Sequence, residues 1–254
     1  MNILYNILAT LFCFVVGYLF GSIPSSVWIG KAFFNQDPRD YGSHNAGGTN
    51  AGRLWGKKIG VLIILIDMLK AIVSLWICWA LLTLIPLDGQ RGLVSPIEQV
   101  NNLGFNYSYV IPWPVYWIAT FGCMVGHCWP IFADFKGGKG AAVFIGTLVF
   151  SSWLIGFIPC LIYLVILKIT KYVSLASITT SISCTIVAWV WALLCIFGVI
   201  PPSLYSLPTY GANLLTSWVF AATLTVLTII IIIRHFSNIK RLKNGTERKI
   251  TWMK

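Results

Sequence analysis

Phe135-Lys136-Gly137-Gly138-Lys139-Gly140-Ala141-Ala142 joins two strongly apolar segments, 112–133 and 141–167, and its reading decides what kind of chain this is. Glycine lets a backbone take positive φ and approach a ligand closely. Successive N–H groups that run into a helix N-terminus form an anion site, and lysine adds a mobile positive charge. The plain alternative is a turn at a membrane edge, with two lysines reaching back to the polar phase. The octapeptide is not a Walker A loop. Ala133 stands where that motif has its first glycine, and Gly140 follows Lys139 where serine or threonine is required. The loop suggests phosphate, but not a P-loop nucleoside triphosphatase.

The flanking segments set the class. Over 254 residues, 57% are hydrophobic and only 10% charged, with a mean hydropathy of +0.81. An average soluble domain carries about 25% charged residues. Apolar runs at 3–23, 61–86, 112–133, 141–167, 173–199 and 214–233 approach the spanning length of about 20 residues. The chain reads as an all-α, polytopic membrane protein. Pro24, with Ser22, Ser25 and Ser26, marks a kink or an end before 27–34. Segment 141–167 is interrupted at Ser151-Ser152 and Pro159, which predicts two short helices there. Residues 3–20 lack a basic leader and a cleavage site, so they read as a retained span. Seven cysteines without a CxxC pair indicate neither a zinc site nor a disulfide framework. A single domain over 1–254 with a basic tail at 234–254 is expected.

Charge sets the orientation. The stretches 35–60, 135–140 and 168–172 and the tail, with Lys31, hold every lysine and arginine except Arg91 and Lys70. Placed on one side, they make that face cytoplasmic. Seven crossings satisfy the bias, with the N-terminus outside and the C-terminus cytoplasmic, if 141–167 crosses twice. Five satisfy it if that segment only re-enters.

The polar stretches thus converge on one membrane face. Residues 39–53, Arg39 to Arg53, offer hydroxyls, amides, glycine-permitted backbone donors and two arginines, as a phosphate or acyl oxyanion held away from water needs. Asp67 and Lys70, three apart within a span, share a helix face and can pair. Charges in a span are functional candidates, but a structural ion pair explains these equally well. Ser174 and Ser177 open a span, where hydroxyls can simply cap it. His235, Asn238 and Arg241 repeat along one helical face, and His235 is a candidate general base or a hydrogen-bonding anchor.

Four segments then match a known family in order and spacing. They are Gly21-Ser22-Ile23-Pro24 with Gly42-Ser43, Asn45, Thr49-Asn50 and Arg53; Gly126-His127 with 135–140; Val173-Ser174-Leu175-Ala176-Ser177; and Arg234-His235, Asn238-Ile239-Lys240-Arg241-Leu242 and Asn244-Gly245-Thr246-Glu247. Together they resemble the bacterial acyl-phosphate:glycerol-3-phosphate acyltransferases, integral membrane enzymes that make lysophosphatidic acid. The resemblance implies about seven transmembrane helices, a cytoplasmic-face site, acyl phosphate and glycerol-3-phosphate as substrates, and the lipid bilayer as surroundings. It implies no cofactor, no metal and no nucleic acid. By motif, Ser43, Thr49 and Arg53 would bind phosphate oxygens and polarise the donor, with Asn45 also binding substrate. Gly137, Gly138 and Lys139 would form the phosphate loop. Ser174 would add a hydrogen bond, and His235 with Asn238 would engage acceptor or donor. Ser43, Arg53, Lys139 and His235 are the expected catalytic residues. The chain departs from the family at His44, usually glycine, and Gly48, usually alanine. The loops at 87–111 and 200–213 are also longer than expected.

Two other readings were weighed. A transporter for an organic phosphate would share the basic mouth, but would place polar residues near the midplane, often in repeated broken helices. A metal-dependent phosphatidyl transferase would need clustered acids, whereas the seven Asp and Glu are dispersed. Acyl-CoA enzymes with a His-x4-Asp pair are a poor match, because Thr49, Phe132 and Lys240 stand five residues after the three histidines.

Overall fold

The computed structural model describes residues 2–84, 100–101, 104–105, 117–151, 153–199 and 218–250. The expected far-side loops at 87–111 and 200–213 lie largely or wholly outside them. Ten helices are described: α1 (Asn2–Gly21), α2 (Ser25–Phe34), α3 (Gly48–Trp55), α4 (Lys57–Leu84), α5 (Ile118–Cys128), α6 (Ala141–Ser151), α7 (Trp153–Thr170), α8 (Val173–Ile196), α9 (Trp218–Arg234) and α10 (Phe236–Lys243). Against them stands one minimal antiparallel ladder, β1 (Val100–Asn101) with β2 (Gly104–Phe105). The all-α expectation holds.

The helices expose their apolar residues. Leu8, Leu11, Val15 and Leu19 of α1, Leu62, Leu65 and Leu69 of α4, and Ile186, Val190 and Leu193 of α8 all face outward at helical spacing. Such a surface suits lipid, where every backbone group must be satisfied within the helix. Among the described residues, three stretches are long and apolar enough to span: Ile7–Phe34, Lys57–Leu82 and Val173–Leu194. A fourth is α9 taken with α10, across a 58° bend.

Lipid tails are as apolar as leucine, so burial alone cannot drive helices together, and close backbone packing must do it. Gly17 and Gly21 of α1 face Gly122 and Gly126 of α5 in two G-x-x-x-G pairs. A Cβ at Gly17 would lie 2.0 Å from the Ala119 carbonyl oxygen, and one at Gly126 would lie 2.2 Å from that of Tyr18. Only glycine fits at these positions. The pattern was legible in the sequence. Around this pair the core gathers Cys13, Leu75, Met124, Phe144, Leu224 and Ile231. Between α8 and α9, Thr185 and Thr228 share a hydrogen bond of 2.8 Å, and Trp189 donates to Thr225 at 2.9 Å. Contacts of this kind in a membrane contribute about 0.6 kcal/mol each.

Sequence and structure agree at the breaks, with one exception. Pro24 separates α1 from α2 as expected, and α6 ends where α7 begins around residue 152. Pro159, read as a second interruption, lies buried inside α7, which continues through it. Proline removes one helix hydrogen bond, and neighbouring helices make that tolerable in a membrane. The tail also differs from a loose basic extension. Beyond α10, Ile250 donates its N–H to the Lys171 carbonyl at 2.8 Å, and its side chain is buried with Leu167 and Ala176. The segment between therefore straps across the start of α8.

Candidate active site

The loop before α3 is built around a buried amide. Asn50 donates through Nδ2 to the carbonyls of Pro38 (2.7 Å), Tyr41 (3.1 Å) and Asn45 (3.1 Å), and its Oδ1 accepts from the Ser43 N–H at 2.9 Å. One side chain thus satisfies four backbone groups of a turn that has no regular ladder of its own. Gly42 sits at φ +61°, where a Cβ would meet Asn50 Oδ1 at 2.4 Å. His44 has φ +52°, in the left-handed region that favours glycine. Histidine manages it by donating from Nδ1 to the Arg39 carbonyl at 3.0 Å. Gly48 is packed against α4, where a Cβ would come within 2.7 Å of the Gly60 carbonyl oxygen. Asn50, part of the Thr49-Asn50 motif, thus holds the loop's shape from inside.

This loop, α3, and the ends of α6, α8 and α10 enclose a cavity of about 280 Å³. Of the ten residues expected at the site, Ser43, Asn45, Thr49, Arg53, Lys139, Ser174, His235 and Asn238 line it. The hydroxyls of Ser43 and Thr49 make no hydrogen bond to another described residue. They are the free polar groups a ligand would meet.

Gly137 and Gly138, expected in the phosphate loop, do not line this cavity. They pack under it. A Cβ at Gly137 would lie 2.1 Å from the His127 carbonyl oxygen, and one at Gly138 would lie 2.1 Å from His127 Nε2. The Gly138 N–H is already donated to the His127 carbonyl at 2.9 Å. Arg234, at the end of α9, holds the loop from the other side. Its Nη2 donates to the carbonyls of Gly137 (3.3 Å) and Gly138 (3.0 Å), and its guanidinium lies 5.2 Å from the Trp129 ring. The glycines are there for close approach to α5. What reaches the cavity is Lys139, with Gly140, Ala141 and Ala142 at the N-terminus of α6, the end of a helix that favours anions.

Lys139 Nζ donates to Asn238 Oδ1 at 2.6 Å, and Asn238 Nδ2 donates to Glu247 Oε1 at 2.6 Å. Both ends of the Asn238 amide are engaged, so its position is that of a support for Lys139. Glu247, whose side chain is 6% exposed, also accepts from Ser174 Oγ (2.7 Å) and Arg241 Nε (2.7 Å). Burial alone would raise its pKa, but the hydrogen bonds from Asn238, Ser174 and Arg241 hold it below the usual carboxylate value. Glu247 was quoted in the motif without a role. It links α8, α10 and the tail at the cavity wall. Ser174 therefore does not cap α8, whereas Ser177 bonds back to the Val173 carbonyl at 2.9 Å.

Positive charge is in excess around the cavity. Burial lowers the Lys139 ammonium to about 8, and Arg241, Arg234 and Arg53 add to that effect against the opposing pull of Glu247. Arg53 is likewise lowered, first by burial and then by Arg248. Dehydrated cations that repel one another are relieved by an anionic ligand. His235 is the hinge between α9 and α10. Burial first, and then Lys139, brings it to about 4, so it is neutral near pH 7. Its Nδ1 lies 2.8 Å from the Ile231 carbonyl, which can only accept. Nδ1 therefore carries the proton and Nε2 keeps its lone pair.

The chain is similar to known proteins along nearly its whole length. The glycerol-3-phosphate acyltransferase family matches residues 11–245. A glycerol-3-phosphate acyltransferase of Enterococcus faecalis is 36% identical over 94% of this chain and 90% of its own. That of Fusobacterium nucleatum is 35% identical over 94% and 97%. Two crystal structures of PlsY, an integral membrane glycerol 3-phosphate acyltransferase, are also similar. The glycerol 3-phosphate form has 30% identity, a TM-score of 0.65 and coverage of 95% of this chain and 96% of that one. The lysophosphatidic acid form has a TM-score of 0.62 at 30% identity, with 96% of each chain covered. With a match along nearly its whole length, this multi-pass membrane chain belongs to the glycerol-3-phosphate acyltransferase family.

Proposed function

We propose that this enzyme transfers a fatty acyl group from acyl phosphate to the 1-hydroxyl of sn-glycerol-3-phosphate, releasing lysophosphatidic acid and inorganic phosphate. The observation that carries this reading is one cavity lined by Ser43, Thr49, Arg53, Lys139, Arg241 and Arg248, with cations enough for two phosphate groups. The hydroxyl oxygen bonds to the acyl carbonyl carbon, and the bond from that carbon to the phosphate oxygen breaks. Arg53, Ser43 and Thr49 hold the donor phosphate and polarise the carbonyl, while Lys139 neutralises a second phosphate, and Asn45 closes the loop side. A mixed anhydride is already activated, so positioning and charge stabilisation supply most of the rate.

The proton of the attacking hydroxyl passes to the leaving phosphate. A general base works best with a pKa near the operating pH. Burial and Lys139 lower His235 to about 4 in the free enzyme, while the leaving phosphate gains basicity as its acyl bond breaks, phosphate monoesters titrating at about 6. His235 Nε2 instead accepts a hydrogen bond that aims the hydroxyl, and Ser174 and Asn238 act through Glu247 and Lys139. The charge bias supports a site on the cytoplasmic face with an odd number of crossings, seven or five, and the match over residues 11–245 supports a single domain over 1–254.

Purified protein given acyl phosphate and glycerol-3-phosphate should release inorganic phosphate, with little or no turnover of acyl-CoA and unchanged rates in EDTA. Comparable rates with acyl-CoA would overturn the donor while leaving the family standing. For orientation, single cysteines near Gly48, Gly138 and Lys243 should resist an impermeant reagent in intact cells, and labelling of any of them would reverse it.

A further inference from the structure

Behind the cavity, α4 presents a carboxylate that the mechanism above leaves unused. Asp67 is 2% exposed and lines the cavity wall. Everything that holds it converges on one oxygen. Ser25 Oγ donates to Oδ1 at 2.8 Å, Lys70 Nζ lies 2.6 Å from the same atom, and His127 Nδ1 lies 3.8 Å from it. Lys70 is itself fixed by the Ile23 carbonyl. Oδ2 has no hydrogen-bond partner among the described residues. Oδ2 is not among the fully buried polar atoms that lack a partner, so it keeps access to the cavity, and a ligand that displaces water there strands it unless it brings a donor. The structure thus clamps one carboxylate oxygen and frees the other at the cavity.

We propose that Asp67 Oδ2 accepts a hydrogen bond from the secondary, 2-hydroxyl of glycerol-3-phosphate and so selects the acceptor. This rests on the acyltransfer reading and deepens it. A partner for Oδ2 must be a donor without negative charge, which excludes phosphate oxygens. Acyl phosphate has no hydroxyl on its chain, whereas glycerol-3-phosphate has two. The 1-hydroxyl must face the acyl carbonyl, which leaves the 2-hydroxyl, one carbon away, for the opposite wall. The contact transfers no proton. A site built to bond a hydroxyl discriminates strongly against the analogue that lacks it, because its own polar group is then stranded.

The test compares sn-glycerol-3-phosphate with 3-hydroxypropyl phosphate, which keeps the primary alcohol and the phosphate but lacks the middle hydroxyl. In the full-length enzyme, kcat/KM should favour glycerol-3-phosphate by at least about 30-fold. In Asp67→Asn that ratio should shrink by about tenfold. Because this variant leaves the Lys70 ammonium without its counter-charge, Asp67→Asn with Lys70→Met is measured beside it, and each is checked by thermal transition in detergent. Equal losses for the two acceptors, with the ratio unchanged, would make Asp67 purely structural and overturn the assignment. So would a wild-type ratio near one, with no variant needed. Wild-type enzyme that acylates neither acceptor is a different failure, and it removes the acyltransfer reading itself.

Discussion

Two glycine-rich loops meet at the cavity, and they use their glycines differently. In residues 42–50 the turn is held from inside by the Asn50 side chain, and its hydroxyls remain free for ligand. In residues 134–140 the backbone is pressed against α5 and clamped by Arg234, so that Lys139 alone among 134–139 enters the cavity. The first loop offers free hydroxyls to the cavity. The second is a pedestal for one lysine. Similar composition therefore implied similar chemistry where the packing is opposite.

The largest expected effect tests the pedestal. Gly137→Ala drives a Cβ to 2.1 Å from a backbone oxygen that cannot move aside, so overpacking should cost about 3 kcal/mol or more. A lowered thermal transition in detergent, together with lost activity, is the expected result. A stable but inactive Gly137→Ala would instead make this glycine a ligand contact.

Next comes the lysine that the pedestal carries. Lys139→Met should lose about 2–3 kcal/mol of charge-assisted contact, about 30- to 150-fold in kcat/KM, with an unchanged thermal transition. Lys136→Met, at an exposed position, should stay close to wild type. Equal losses in the two would dissolve the distinction between them.

The pH dependence should follow the same lysine. In the free enzyme the ammonium is held at about 8, so its charge is present below that pH and is lost as pH rises through it. An anion site then weakens, and kcat/KM should fall about tenfold per unit above pH 8. Bound phosphate raises the lysine's pKa, so the fall in kcat should begin at higher pH. His235 contributes no limb near 6.5, because it is already neutral there, and an acidic limb at about 6 belongs to the substrate phosphates. In Lys139→Met the alkaline limb should vanish, and a limb that persists would belong to another group.

The smallest effect belongs to the first loop. A Cβ at Gly47 would meet only the end of the Asn45 side chain, at 2.8 Å. Gly47→Ala should therefore change stability by less than about 1 kcal/mol and leave turnover within about fivefold. A collapse like that expected for Gly137→Ala would show that both loops are pedestals.

Hydropathy, charge and motif spacing determined a great deal unaided. Eight of the residues that line the cavity came with the motifs' resemblance to a family, whereas the helical membrane class, the break at Pro24 and the pair of short helices around residue 152 came from the residues themselves. These follow from local physics: apolar length must match the bilayer, and proline and serine end helices wherever they stand. The Gly17–Gly21 and Gly122–Gly126 pairs were equally open to reading, and they show as helix contacts once α1 meets α5. Only the tertiary structure decided that Gly137 and Gly138 pack on His127, that Asn238 supports Lys139, that Glu247 ties Ser174 to the tail, and that one oxygen of Asp67 has no partner among the described residues. Each of these depends on which residue distant in sequence arrives beside a polar atom. A side chain's chemistry is written in its type, but whether it serves the ligand or the protein is settled by the partner that reaches it first.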